Sequence, residues 1–185
     1  SITAGSINVR GGVLSLGHST FTPAPVTGAP AASDPLATLP VPAAGAARGS
    51  VVCAGNSSLP LQPGVYDKII APGHCSLTFQ PGQFVLKGGG LSVTGNASVT
   101  GAEVLLYNAG RNFPAAGGPM GKIVIVGSGS VEVSPAASGT YAGVSIFQAR
   151  DNTQPISLIG HATLDGGGGG TIYAPRAQLT IIGRS

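Results

Sequence analysis

Leu91-Ser-Val93-Thr-Gly95-Asn-Ala97-Ser-Val99 decides the fold. Aliphatic residues alternate with small polar ones up to a glycine, a small residue follows, and an aliphatic residue resumes. The same phrase returns as Ile123-x-Ile125-x-Gly127-x-Gly129-x-Val131 and as Ile156-x-Leu158-x-Gly160-x-Ala162-x-Leu164. It starts again as Leu179-x-Ile181-x-Gly183-x-Ser185. A period of two sets the aliphatic residues on one face of a strand.

A second unit recurs between these copies. Ala102-Glu103-Val104-Leu105-Leu106-Tyr107 aligns with Gly143-Val144-Ser145-Ile146-Phe147 and with Gly170-Thr171-Ile172-Tyr173-Ala174. A third signature, Pro63-Gly64-Val65-Tyr66, comes back as Pro81-Gly82-Gln83-Phe84; Pro-Gly marks a turn and the aromatic residue opens the next strand. Units recurring every 18 to 33 residues predict coils whose strands lie on those of the coil below, with small residues at the corners. The expected fold is all-β, a right-handed parallel β-helix (β-solenoid) forming one domain over 1–185. A β-sandwich is the alternative, and it would show hairpin turns without repeats in the same register.

Composition agrees. Gly and Pro, 31 and 15 of 185 residues, make up about a quarter of the chain, a level that raises the question of disorder. Leu, Ile, Val and Phe make up about another quarter, and the mean hydropathy is +0.34, so the chain can bury a core. The longest run without Gly or Pro is Val144 to Gln154, which excludes helical bundles and doubly wound α/β folds. Proline is concentrated between residues 20 and 63, and 22–48 is expected to be an extended Pro/Ala-rich excursion, with Ser33-Asp-Pro-Leu-Ala-Thr-Leu-Pro40 forming a single turn. Arg111 to Gly121 and Ser134 to Gly139 are expected to be loops inserted at corners.

The nine Lys and Arg residues outnumber the six Asp and Glu, giving +3 and a pI near 9.1, but they are spread along the chain. Without a basic cluster or interleaved aromatics, nucleic acid is not an expected partner. No run of 18 apolar residues occurs, so no membrane insertion as a helix is expected.

The stretches PGVYDKI (63–69), PGQFVLKGGGLSVTGNASVTGAEVLLYN (81–108), SGTYAGVSIFQARDN (138–152) and GTIYAPRAQLTIIG (170–183) resemble the β-helical region of bacterial Tad-type pilus-assembly TadG-like proteins and related secreted surface proteins. DPLATLP (34–40) resembles the linker before that region. The resemblance covers 51–185 well and 20–50 more loosely. It implies a β-helical fold and an extracellular or cell-surface location, and it supplies no catalytic residues.

In an exported protein, an even count of two cysteines predicts one disulfide, Cys53–Cys75; two buried free thiols are the alternative. His18, His74 and His161 lie far apart without ligand spacing, and no metal or cofactor is expected. Glu103 and Glu132 would stack if neighbouring coils were in register, but no Asp-Asp pair or Gly-His-Gly element accompanies them, so no catalytic residue is assigned. Asp165 with Gly166 to Gly170 lacks the repeated unit of a calcium-binding turn. Arg150, Asp151 and Asn152 are candidate ligand contacts, with a glycan as the candidate ligand.

Both ends read as coil without a polar cap, so the chain is expected to be part of a longer one, to be covered by neighbours, or to fold a loop such as 22–48 over an end. Ile2, Ile7, Val9, Leu179 and Ile181 are the candidate assembly edges. The expected function is a non-enzymatic extracellular structural module that self-associates or binds other extracellular proteins. The alternative is a carbohydrate-binding adhesin or a pectin-lyase-like enzyme, marked by a groove lined by Tyr66, Tyr107, Tyr141 or Tyr173 with carboxylates alongside.

Overall fold

The computed structural model describes residues 2–3, 5–13, 20–30, 33–163 and 170–183. His18, Leu164, Asp165, Gly166 to Gly169 and Ser185 lie outside the described residues. The chain forms two compact units, Ser1–Thr38 and Leu39–Ser185. Every regular element among the described residues is a β-strand.

In the first unit β1 (Ile2–Thr3) pairs in parallel with β3 (Phe21–Thr22), and β2 (Asn8–Val9) with β4 (Val26–Thr27). Within the Pro-rich stretch Val26 and Thr27 are extended, as part of β4. Further on, the Asp34 carboxylate accepts the Leu36 amide at 2.9 Å, closing the turn that Pro35 opens.

The second unit is one curled sheet of 13 strands: β5 (Ala47–Val52), β6 (Ser58–Leu61), β7 (Gly64–Ala71), β8 (Ser76–Phe79), β9 (Gly82–Lys87), β10 (Leu91–Gly95), β11 (Ser98–Gly101), β12 (Val104–Ala109), β13 (Ile123–Val133), β14 (Val144–Gln148), β15 (Ile156–Thr163), β16 (Thr171–Tyr173) and β17 (Leu179–Gly183). All its strand pairings are parallel, unlike the hairpins of a sandwich; the one antiparallel contact among the described residues is an isolated bridge, Gly110 to Met120. The pairings form three stacks. The start of β7 continues through β9, β12, β14 and β16. The ends of β5 and β7 continue through β10, the start of β13, β15 and β17. The third stack is β6, β8, β11 and the later parts of β13 and β15.

The repeat quoted above is the pairing register of the middle stack. Ile69 lies beside Leu91, Leu91 beside Ile123, Ile123 beside Ile156 and Ile156 beside Leu179, so the chain returns after 22, 32, 33 and 23 residues. These side chains form a continuous inward column in which Ile69, Ile123 and Ile156 are wholly buried. The glycines form a column of their own, Gly95–Gly127–Gly160–Gly183. The second unit is in register too: Leu106, Ile146 and Ile172 are neighbours, as are Tyr107, Phe147 and Tyr173.

Two registers differ from the sequence alignment. Val131 pairs with Ala162, not Leu164, because β13 carries an irregularity between Gly127 and Val131. Gly64 pairs with Phe84, so the second Pro-Gly does not lie on the first. The ring of Pro63 occupies that place, and a Cβ on Gly82 would stand 2.6 Å from Pro63 Cγ.

Cys53 and Cys75 are joined by a disulfide, their Cα atoms 6.0 Å apart, and both are buried. The bridge closes a loop of 22 residues. A Cys53→Ser/Cys75→Ser chain is expected to lose about 3 kcal/mol of unfolding free energy, read by urea titration. Unchanged stability would show that β5 and β8 hold the same geometry without the bond.

Candidate functional site

On most strands one face is buried and the other wet, but β12 and β14 are buried on both. Their inward side carries Leu106 and Ile146, and then polar residues at the corner. Asn108 Nδ2 donates to Gln148 Oε1 at 3.1 Å and to the Gly121 carbonyl at 2.9 Å, while Gln148 Nε2 donates to the Asn152 and Gln154 carbonyls. Asn152 is itself wholly buried, its Oδ1 accepting the Gln154 amide at 2.9 Å. These amides satisfy backbone groups where the chain turns between stacks.

Outward, Tyr107, Phe147 and Tyr173 form an aromatic ladder, with ring centroids 4.9 and 5.2 Å apart. Phe113, from the loop after β12, meets Tyr107 edge-on at 5.9 Å. The Arg150 guanidinium lies 5.3 Å from the Phe147 centroid and 5.5 Å from that of Tyr173, and its Nε donates to the Tyr173 hydroxyl. Such stacking holds the cation on the ring faces. Burial, reinforced by the Asp151 carboxylate and partly offset by Arg150, pushes the Tyr107 hydroxyl up to about 12.

A strap beginning at Leu39 crosses this face. Arg150 Nη2 donates to the Leu39 carbonyl at 2.9 Å and the Tyr141 hydroxyl donates to the Pro40 carbonyl at 3.1 Å. Pro42 is buried while Val41 remains 46% exposed. Cavities open on this face, two of them beside the candidate residues. One, of about 220 Å³, has Val41, Tyr107, Phe113, Ala149, Arg150 and Asp151 among its walls. The other, of about 200 Å³, is lined by Gln83, Glu103, Leu105, Ser138, Thr140 and Tyr141, among others.

The candidate residues thus separate. Arg150 holds the strap, the exposed Asp151 accepts the Gly117 amide at 2.9 Å beside the first cavity, and Asn152 faces the interior. Tyr66 also points inward, bonding the Gln62 carbonyl, and burial raises its hydroxyl above the ordinary phenol range. Glu132 lies beside Thr100 and Thr163, whereas Glu103 sits at the corner before β12 and lines the second cavity. Ile7 and Val9 are half-buried, their carbonyls accepting amides from Val26 and Ala29; Ile2 pairs with Phe21. Leu179 and Ile181 are 43% and 65% exposed.

The Asn108–Gln148–Asn152 cluster and the strap had no counterpart among the sequence candidates. Neither has a local signal, since the strap's anchors come from 101 and 111 residues away. Glu103 did carry one, for the aligned unit places Gly143 where it stands.

No protein-family model, curated protein or solved structure matches the chain. Among the described residues no helix is long and apolar enough to cross a membrane.

Proposed function

We propose that the chain is a non-catalytic extracellular structural module, a right-handed parallel β-helix that self-associates through its sheet edge into a surface assembly or filament. Coiling is supported by the repeated parallel return of the chain to the same three stacks, and the hand follows from the near-universal right-handedness of parallel crossovers. The Cys53–Cys75 disulfide is consistent with an oxidising, extracellular setting. The resemblance to TadG-like pilus-assembly proteins points the same way.

The observation that carries the proposal is the parallel, in-register addition of each coil to the one before it, as β13 adds to β10, β15 to β13 and β17 to β15. Leu179, Ile181 and Ile182 are exposed there at 43%, 65% and 54%, although Leu179 and Ile181 continue the inward columns of Ile156 and Leu158. The same pairing made between chains instead of within one, head to tail and without closure, gives a filament.

Light scattering from micromolar to millimolar concentration tests it. The mass should grow with concentration for the parent chain, and a Leu179→Asp/Ile181→Asp variant should stay at the monomer mass of 18.0 kDa. A chain that is strictly monomeric throughout contradicts the proposal.

A further inference from the structure

Glu103 is, among the described residues, the only non-glycine residue with a positive φ, at 59°. Its counterpart one coil on is Gly143, at φ 74°, the residue type this conformation favours. These two corners share left-handed backbone, unlike the coil before, where Pro81 stands in register with Glu103. At Glu103 the sequence fills it with glutamate at an energetic cost where glycine would do. Strain of this kind is kept where the side chain has work to perform.

The side chain stands at the cavity of about 200 Å³ between β9, β12 and the 134–143 loop. That volume is below the roughly 300–1,000 Å³ of sites for drug-sized ligands, and suits a single small ring. Leu105 and Val144 give an apolar floor, the half-buried Tyr141 a ring, and Gln83, Ser138 and Thr140 both donors and acceptors. The loop that supplies Ser138, Thr140 and Tyr141 is fixed by its own backbone bonds: Ala142 to Gly139, Gly143 to Ala136 and Val144 to Tyr141.

We propose that this cavity binds one neutral hexose unit of a saccharide, with the Glu103 carboxylate accepting hydrogen bonds from its hydroxyls. A flat ring with apolar C–H faces and a rim of hydroxyls matches an apolar floor ringed by mixed polar groups. A metal would require more oxygen ligands than one carboxylate, and a lone carboxylate among amide and hydroxyl groups suits hydroxyl donors. The site is separate from the β17 edge, so it stands or falls independently of self-association.

The test is calorimetric titration of the full chain with glucose, galactose, mannose and N-acetylglucosamine, with the cation Nα-acetyl-lysine methyl ester as the competing class. At least one neutral hexose should bind in the millimolar range or tighter. Glu103→Gln should weaken that binding about tenfold. Glu103→Gly should abolish it while raising Tm by a few degrees, because the left-handed strain is relieved. The proposal is overturned if no neutral hexose binds, if only the lysine derivative binds, or if affinity is the same in both variants. A Glu103→Gly chain less stable than the parent would also overturn it, by showing that the side chain serves the corner itself.

Discussion

Replacing Phe84 by alanine is expected to cost about 3–5 kcal/mol of unfolding free energy, the range for truncating a buried aromatic side chain. Phe84 is wholly buried at the start of β9. Its ring meets Phe79 of the third stack edge-on at 4.7 Å and stacks on Tyr66 at 5.9 Å. Its strand neighbours are Gly64 on one side and Leu106 on the other. Gly64 offers no side chain to fill the space that the ring vacates. Neighbouring strands are fixed by parallel pairing, so collapse around the cavity is limited and the upper part of the range applies. Urea titration with an unchanged m-value measures it; a loss below about 1 kcal/mol would mean that the first and third stacks do not meet at this residue.

Gly127→Ala should cost about 3 kcal/mol or more, through two effects that act together. The residue has φ 151°, and a Cβ built there would lie 1.9 Å from the Gly95 carbonyl oxygen. Gly95 and Gly160 pair with it on either side, so the backbone cannot retreat from one strand without pushing into the next. Left-handed strain and overpacking each contribute roughly 1–3 kcal/mol. Gly11→Ala is the control, since nothing lies within 4 Å of a Cβ at Gly11, and it should stay within about 0.5 kcal/mol of the parent. Equal effects at the two glycines would show that the glycine column is not a close-packed corner.

That column explains why so much of the fold could be read in advance. Gly95, Gly127, Gly160 and Gly183 sit at one phase of a period-two pattern, and a slip by one residue would turn every aliphatic side chain outward. Leu91, Ile123, Ile156 and Leu179 are therefore locked in register by the same signal that makes them visible. Where the chain is less regular the signal fails. In β13 two glycines fall close together, and the strand's irregularity moves Val131 from Leu164 to Ala162. Pro63 and Pro81 share a turn signature, yet the first packs its ring over Gly82 and displaces the second.

The candidate site was harder to read because β12 is buried on both faces. Val104-Leu-Leu-Tyr-Asn-Ala109 is a nearly continuous apolar run, which cannot say that Tyr107 faces outward while Asn108 faces in. By contrast, Tyr66 ends up inside and Tyr107 outside because Tyr66 lies in register with Leu86 and Asn108, one residue beyond the row of Val65, Val85 and Tyr107. Asn108, Gln148 and Asn152 look like surface residues in the sequence, and only the carbonyls of Gly121 and Gln154, brought close by the turn, make them interior.

Electron microscopy of the chain at the concentrations used for light scattering tests the assembly most directly. The middle stack contains six strands, β5, β7, β10, β13, β15 and β17. At a spacing of about 4.8 Å, five spacings within the chain and one to the next subunit make about 29 Å. Coil-on-coil pairing between chains predicts unbranched filaments whose subunit repeat along the axis is at least that long. Separate single particles at every concentration, with no end-to-end contacts, would contradict it.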